Sequence, residues 1–225
     1  MKPESPRPAS DTKERLLDTA ERVFADHGFA GGSLRRITKE AGTNLAAANY
    51  HFGSKEGLIR EVMARRLEPI NREREARLER LLEEAGDAPP EVERIVEAFL
   101  APVLRTKHEL GDAGTTFMRL LGHAMNQPSD RLRDLLTDQF AETARKFLAA
   151  FGKARPDLPP DEILWRMLFA VGAMTHTLAM SKHIVPLSGG LVDPSDVEDV
   201  TRRMVRFVTA GYLAPTTGAG TAEAI

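Results

Sequence analysis

The side chains best equipped for chemistry lie close together between Ser33 and Leu58, in the run SLRRITKEAGTNLAAANYHFGSKEGL. They form no nucleophile–base pair and no metal-ligand cluster. They are hydrogen-bond donors and cations, the groups that phosphate oxygens and base edges accept. Asn49 can pair with an adenine edge, and Arg35 can reach a guanine. Tyr50, His51 and Lys55 carry polar tips suited to phosphate, while Ala46, Ala47 and Ala48 add little bulk where a helix must approach the bases. The positive helix ends capped by Ser33 and Ser54 also favour phosphate.

Positioning these groups requires short helices, and the spacing supplies them. Asp11-x-x-Glu14 reads as a capping box, after which Leu16, Leu17, Ala20, Val23 and Phe24 recur at helical intervals until Gly28. Ser33 caps a second helix carrying Leu34 and Ile37 inward, ended by Gly42; Asn44 caps a third from Leu45 to Phe52. Two short helices about a tight turn can place the second in a major groove. The same unit also occurs as plain packing, and an alanine run is simply good helix.

Charge is consistent with a nucleic-acid reading without carrying it. The net charge is −2, but residues 1–66 hold twelve Lys or Arg against nine Asp or Glu, a net of +3 on an acidic remainder. There is no cysteine, so disulfides, thiolate zinc sites and cysteine nucleophiles are excluded. P-loop, G-x-G-x-x-G, H-E-x-x-H and G-x-S-x-G patterns are missing as well, and no enzyme or cofactor is expected. The N-terminus has no apolar signal core, and no stretch approaches the ~18 uncharged apolar residues that a membrane span requires, so a cytoplasmic protein is expected.

The rest of the chain also reads as helix. From Ser54 the pattern runs to about Glu84, with Glu61–Arg65, Glu68–Arg72 and Glu73–Arg77 in the favourable i,i+4 order. Pro69 predicts a kink or break near a domain boundary. Further helices are expected over about 90–107, 114–125, 129–152, 161–184 and 195–213. The fold class is all-α, with about nine helices and no sheet. Residues 1–10 and 214–225 read as disordered tails, 11–60 as a DNA-binding domain and 61–213 as a ligand-binding and dimerisation domain.

The Ser33–Leu58 stretch closely resembles the TetR family of bacterial repressors. The resemblance rests on Ser33, Ile37, Ala41-Gly42, Tyr50-His51-Phe52 and Lys55-Glu56-x-Leu58, with Thr43-Asn44 and Thr38 departing from the usual pattern. It implies palindromic double-stranded DNA as partner. Ser33, Tyr50, His51 and Lys55 would contact phosphate; Arg35 and the face formed by Leu45, Ala46, Ala47 and Asn49 would read bases, with Arg36 and Asn44 completing the contact set. It further implies a homodimer in which helices 161–184 and 195–213 pair with their two-fold mates, and a small apolar ligand that controls DNA binding. The apolar faces for that pairing are Leu168, Val171, Met174 and Leu178 on the first helix, and Val197, Val200, Met204, Val205, Phe207 and Val208 on the second.

A ligand cavity, if the helices enclose one, would draw on Phe99, Val103, Phe117, Leu121, Met125, Phe140, Trp165, Phe169 and Met174. Residue by residue, ordinary core packing competes with that reading. Arg66-Leu67-Glu68-Pro69, with the 117–122 stretch, is similar to a subgroup responding to fatty acids or acyl-CoA; Lys107, Arg119 and Arg166 are then the available cations. His123, His176 and His183 lack the spacing and carboxylates of a metal site, and no metal is expected. A helical scaffold that binds no specific DNA remains the alternative function.

Overall fold

The computed structural model describes residues 9–126 and 130–216. Among the described residues there are nine helices and no strand: α1 (Ala9–Gly31), α2 (Leu34–Glu40), α3 (Leu45–Phe52), α4 (Lys55–Ala85), α5 (Val92–Glu109), α6 (Asp112–Asn126), α7 (Asp130–Ala154), α8 (Pro160–Leu187) and α9 (Val197–Leu213). The tails expected at 1–10 and 214–225 fall largely outside the described residues.

Two local expectations are corrected. Asp11 does not cap α1, because helix already runs through Ala9 and Ser10, and its carboxylate accepts from Arg15 one turn on. Pro69 does not break α4; buried Leu67 and Ile70 on either side hold the helix through the lost hydrogen bond. The segment Pro160–Met180 is long and apolar enough to cross a membrane by length and composition alone, with the charged Asp161 and Glu162 at its start. Arg166 inside that segment is buried and donates to the carbonyls of Tyr212 and Ala214, both at 2.8 Å, so α8 is tied to the end of α9 by polar bonds.

The chain divides into two compact units: Met1–Pro69 with Glu109–Phe140, and Ile70–His108 with Ala141–Ile225. The division therefore comes at Pro69, where the sequence reading placed it after residue 60, and α6 joins the first unit.

In the first unit α1 packs against α2, α3 and α6. Leu16, Leu17, Ala20, Val23 and Phe24 are buried as their spacing requires, and the backbone leaves helical geometry at Gly28 (φ 66°). Glu21 lies on the same buried stripe, its side chain only 4% exposed. Arg66 donates to it at 2.9 and 3.0 Å, and Arg65 through Nη2. Arg65 also reaches Asp18 at 2.7 Å. The expected Glu61–Arg65 pair is thus replaced by partners on α1, while Glu61 pairs with Lys13 at 2.9 Å. The Glu73–Arg77 pair forms at 2.6 Å.

In the second unit the predicted α5 face of Val92, Ile95, Val96, Phe99 and Val103 is buried. Phe147 and Phe151 of α7 are buried one helical turn apart. The first meets Phe99 with centroids 5.0 Å apart, and the second stacks on Tyr212 of α9 at 4.0 Å. On α9, Met204, Val205 and Val208 are buried, but Phe207 is 71% exposed.

Candidate nucleic-acid interface

Each short helix at this site is started by a side chain bonding its own first turn. Ser33 Oγ accepts from the Arg36 amide at 3.2 Å, and Asn44 Oδ1 from the Ala47 amide at 2.8 Å. These bonds occupy the acceptors and leave the Ser33 hydroxyl proton and the Asn44 amide N–H groups available to an incoming acceptor. Ser54 Oγ accepts from the Gly57 amide at 3.1 Å and starts α4 in the same way. Thr43-Asn44 therefore still makes a capped turn, with Gly42 in the left-handed region at φ 63°. Gly57 meets a different demand: a Cβ there would stand 2.0 Å from the Phe52 carbonyl oxygen, so only glycine permits this approach of α3 and α4.

Ile37, Ala48 and Phe52 are buried and anchor α2 and α3. The opposite surface carries exposed Arg35, Arg36, Asn44, Leu45, Ala46, Asn49 and Tyr50, with Ala47, His51 and Lys55 half-buried beside them. Tyr50 is 84% exposed, its ring edge-on to His51 with centroids 5.2 Å apart. Among the described residues no hydrogen bond or ion pair engages the side chains of Arg35, Asn49 or Tyr50. Arg36 differs: its Nε donates to Glu40 at 2.8 Å, and that bond holds the Glu40 carboxyl below its usual range. Arg22 lies 3.6 Å from the same carboxylate. Lys55 Nζ sits 3.5 Å from the Ala30 carbonyl, a long contact that leaves its charge uncompensated. The eleven residues expected at this site are all carried by α2, α3, their caps and the start of α4.

The ligand-lining set is not brought together in this way. Phe117, Leu121, Met125 and Phe140 belong to the first unit; Phe99, Val103, Trp165, Phe169 and Met174 belong to the second. Phe99, Val103, Phe117, Leu121 and Met174 are buried and Phe140 is half-buried, while the Met125 side chain lies outside what is described. Trp165 and Phe169 are placed elsewhere than expected. They are 55% and 67% exposed, stack on each other at 5.9 Å, and share their face of α8 with exposed Leu164 and Leu168.

Two of the three candidate cations are committed to other partners. Arg119 lies 3.1 Å from Asp26, and Arg166 bonds Glu162 and the end of α9; the Lys107 side chain falls outside the described residues. Among the described residues no three potential metal ligands converge, and the His123 side chain is outside them. One residue that the sequence reading passed over is Arg74. It stands on the buried stripe of α4 with Leu67, Ile70, Leu78 and Leu81, and a cation on an apolar stripe was a readable signal.

A capped pair of short helices with an exposed donor surface defines a helix-turn-helix protein. Residues 16–62 match the family described as bacterial regulatory proteins, tetR family, and residues 97–211 match the tetracyclin repressor-like C-terminal domain. The chain is a member of the TetR family of bacterial transcription regulators.

Among relatives, the transcriptional repressor AcnR of Corynebacterium glutamicum is 35% identical over 66 residues, 28% of this chain and 35% of AcnR. The match therefore spans about a third of that relative's length. The repressor KstR2 of Mycolicibacterium smegmatis is 26% identical over 176 residues, covering 72% of this chain and 76% of KstR2. Among solved structures, the fatty acid degradation regulator FadR of Bacillus halodurans aligns with a TM-score of 0.61 at 13% identity, covering 93% of this chain and 98% of that one. SmeT in complex with triclosan aligns at 0.56 and 20% identity, covering 94% and 99%. These structural likenesses establish the fold.

Proposed function

We propose that this chain is a transcriptional repressor that binds a palindromic operator as a homodimer and releases it when a small, largely apolar ligand binds. The observation that carries the DNA contact is the exposed set Arg35, Asn49 and Tyr50, without side-chain bonding partners among the described residues, beside the capped starts of α2, α3 and α4. In the proposed complex Arg35 and Asn49, with Leu45, Ala46 and Ala47, face the bases. Ser33, Arg36, Asn44, Tyr50, His51 and Lys55 hold the phosphates.

Exposed Leu164, Trp165, Leu168 and Phe169 support the dimer. Full burial of each such side chain is worth about 1.5–3 kcal/mol, and a two-fold mate would cover them. Two recognition helices about 34–36 Å apart would then meet successive turns of the same groove, in the cytoplasm where the DNA lies. Relatives described as a fatty acid degradation regulator and as a triclosan complex support a ligand-controlled body. A scaffold without DNA specificity would retain the α8 face but has no use for the Arg35–Tyr50 surface.

The test is selection of bound genomic fragments, followed by titration of the selected palindrome at fixed salt. Arg35→Ala is expected to lower affinity by about 10- to 100-fold with relaxed specificity at one position. Wild-type affinity in Arg35→Ala combined with Tyr50→Phe would overturn the DNA assignment. Trp165→Glu with Phe169→Glu is expected to give a monomer on sedimentation; an unchanged mass would overturn the α8 dimer face.

A further inference from the structure

Arg74 is a buried cation with no anion beside it among the described residues. Its side chain is within a residue that is 3% exposed, and no carboxylate pairs with it among the described residues. Nε donates to the Phe99 carbonyl at 2.8 Å and Nη1 to Asn71 Oδ1 at 3.3 Å, which engages two of the five guanidinium N–H donors. The guanidinium carbon lies 4.3 Å from the centroid of the Phe99 ring. Carbonyl, amide and ring each offset part of the desolvation cost, and none of them neutralises the charge. Burial pushes the group down to about 9, still well above neutral pH, so the charge remains.

Neighbouring carboxylates are occupied elsewhere. Glu73 takes the Arg77 guanidinium, and Glu75 accepts from Lys146 and from Thr143, the latter at 2.6 Å. One helical turn beyond Arg74, a groove of about 180 Å³ between α4 and α5 is lined by Arg77, Arg80, Leu81, Glu84, Arg94, Glu97 and Ala98. Ala98 directly precedes Phe99, whose carbonyl holds Arg74. Arg94 pairs with Glu84 at 2.5 Å, and Arg80 has no ion pair among the described residues. That volume suits a head group with a short body better than a full drug-sized ligand, whose pockets run from about 300 Å³ upward.

We propose that the α4–α5 face of the second unit binds an organic anion, a carboxylate or phosphate with an apolar body. Arg74, one turn back on α4, is its counter-charge, Arg80 lies at the approach, and Leu81 and Ala98 of the groove meet the apolar part. A planar fork with free donors is matched to a two-oxygen acid group, and a buried one gains most from receiving it. This rests on the reading of the second unit as the effector-sensing part and gives that effector its chemical class.

The probes are octanoate, octyl phosphate and octan-1-ol, titrated into the full-length protein by calorimetry at low ionic strength. The expected result is saturable binding of at least one of the two anions at least tenfold tighter than the alcohol, the octanoate and octyl phosphate arms separating carboxylate from phosphate. Arg74→Met is expected to abolish that preference, Arg74→Lys to keep the preference with weaker affinity, and Arg80→Gln to weaken binding less than threefold. Equal binding of alcohol and both anions by the wild type, or a preference that survives in folded Arg74→Met, would overturn the site. If Arg74→Met does not fold, the wild-type comparison of head groups and Arg74→Lys decide. Operator affinity is measured separately: head-group preference without operator binding would sink the proposed function and keep the site, and operator binding without head-group preference would sink the site alone.

Discussion

The first unit buries an anion, Glu21, and surrounds it with cations; the second buries a cation, Arg74, and supplies a carbonyl, an amide and a ring. Both lie on otherwise apolar stripes of long helices, and both carry a desolvation cost of several kcal/mol. In the first case the charge is matched inside the chain, so Glu21, Arg65 and Arg66 fix α4 against α1, the helix on which α2 and α3 pack. In the second the match is left incomplete. A completed pair serves as a structural fastener, whereas an incomplete one is a place where an external anion changes the energy of the fold.

The comparison breaks most visibly at Glu21. Glu21→Gln leaves Arg66 without its carboxylate and is expected to cost about 3 kcal/mol in denaturant melts. That is the lower end for a broken buried pair, because Arg65 keeps Asp18. Arg74→Met without ligand should stay within about 1 kcal/mol of wild type, since a buried charge is replaced by an apolar side chain of similar length. A loss near 3 kcal/mol there would make Arg74 a fastener of the same kind as Glu21.

The smallest expected effect concerns Glu75, a half-buried neighbour of Arg74. Burial pulls its carboxyl up, but the bonds from Lys146 and Thr143 prevail and hold it below the ordinary 4.5. A lowered folded-state value gives stability that is present above the unfolded value and lost as pH falls through the folded one. The difference in melting temperature between wild type and Glu75→Gln should therefore be constant from pH 7 to pH 5 and close below about pH 4.5. A difference that persists at pH 3 would mean that the glutamate acts through packing instead of charge.

The candidate DNA surface was legible in the residues because its determinants are local. A cap joins Ser33 to Arg36 and Asn44 to Ala47, three positions apart, and Gly42 and Gly53 mark turns that need positive φ. The demand on Gly57 was not legible, because it arises from the approach of one helix start to the preceding helix end. Arg65 shows the same limit. Its spacing to Glu61 is favourable, yet Glu21 and Asp18 outcompete that neighbour, and a nearby sequence position gives no account of a partner more than forty residues away.

On α8 the difficulty was of another kind. Apolar residues occur nearly all round that helix, so periodicity cannot say which of Trp165, Met167, Phe169 and Met174 turns inward. The structure buries Met167 and Met174 and exposes the two aromatics.

What the sequence determined by itself, then, is an all-helical chain, the ends of its short helices and the donors of the candidate DNA surface, all governed by interactions within about one helical turn. The tertiary structure alone decided that Glu21 would be paired and Arg74 left without an anion among the described residues, that α6 would pack with the first unit, and that Trp165 and Phe169 would lie outside. Those outcomes depend on which helices meet, and burial and charge pairing act between atoms close in space regardless of their separation along the chain.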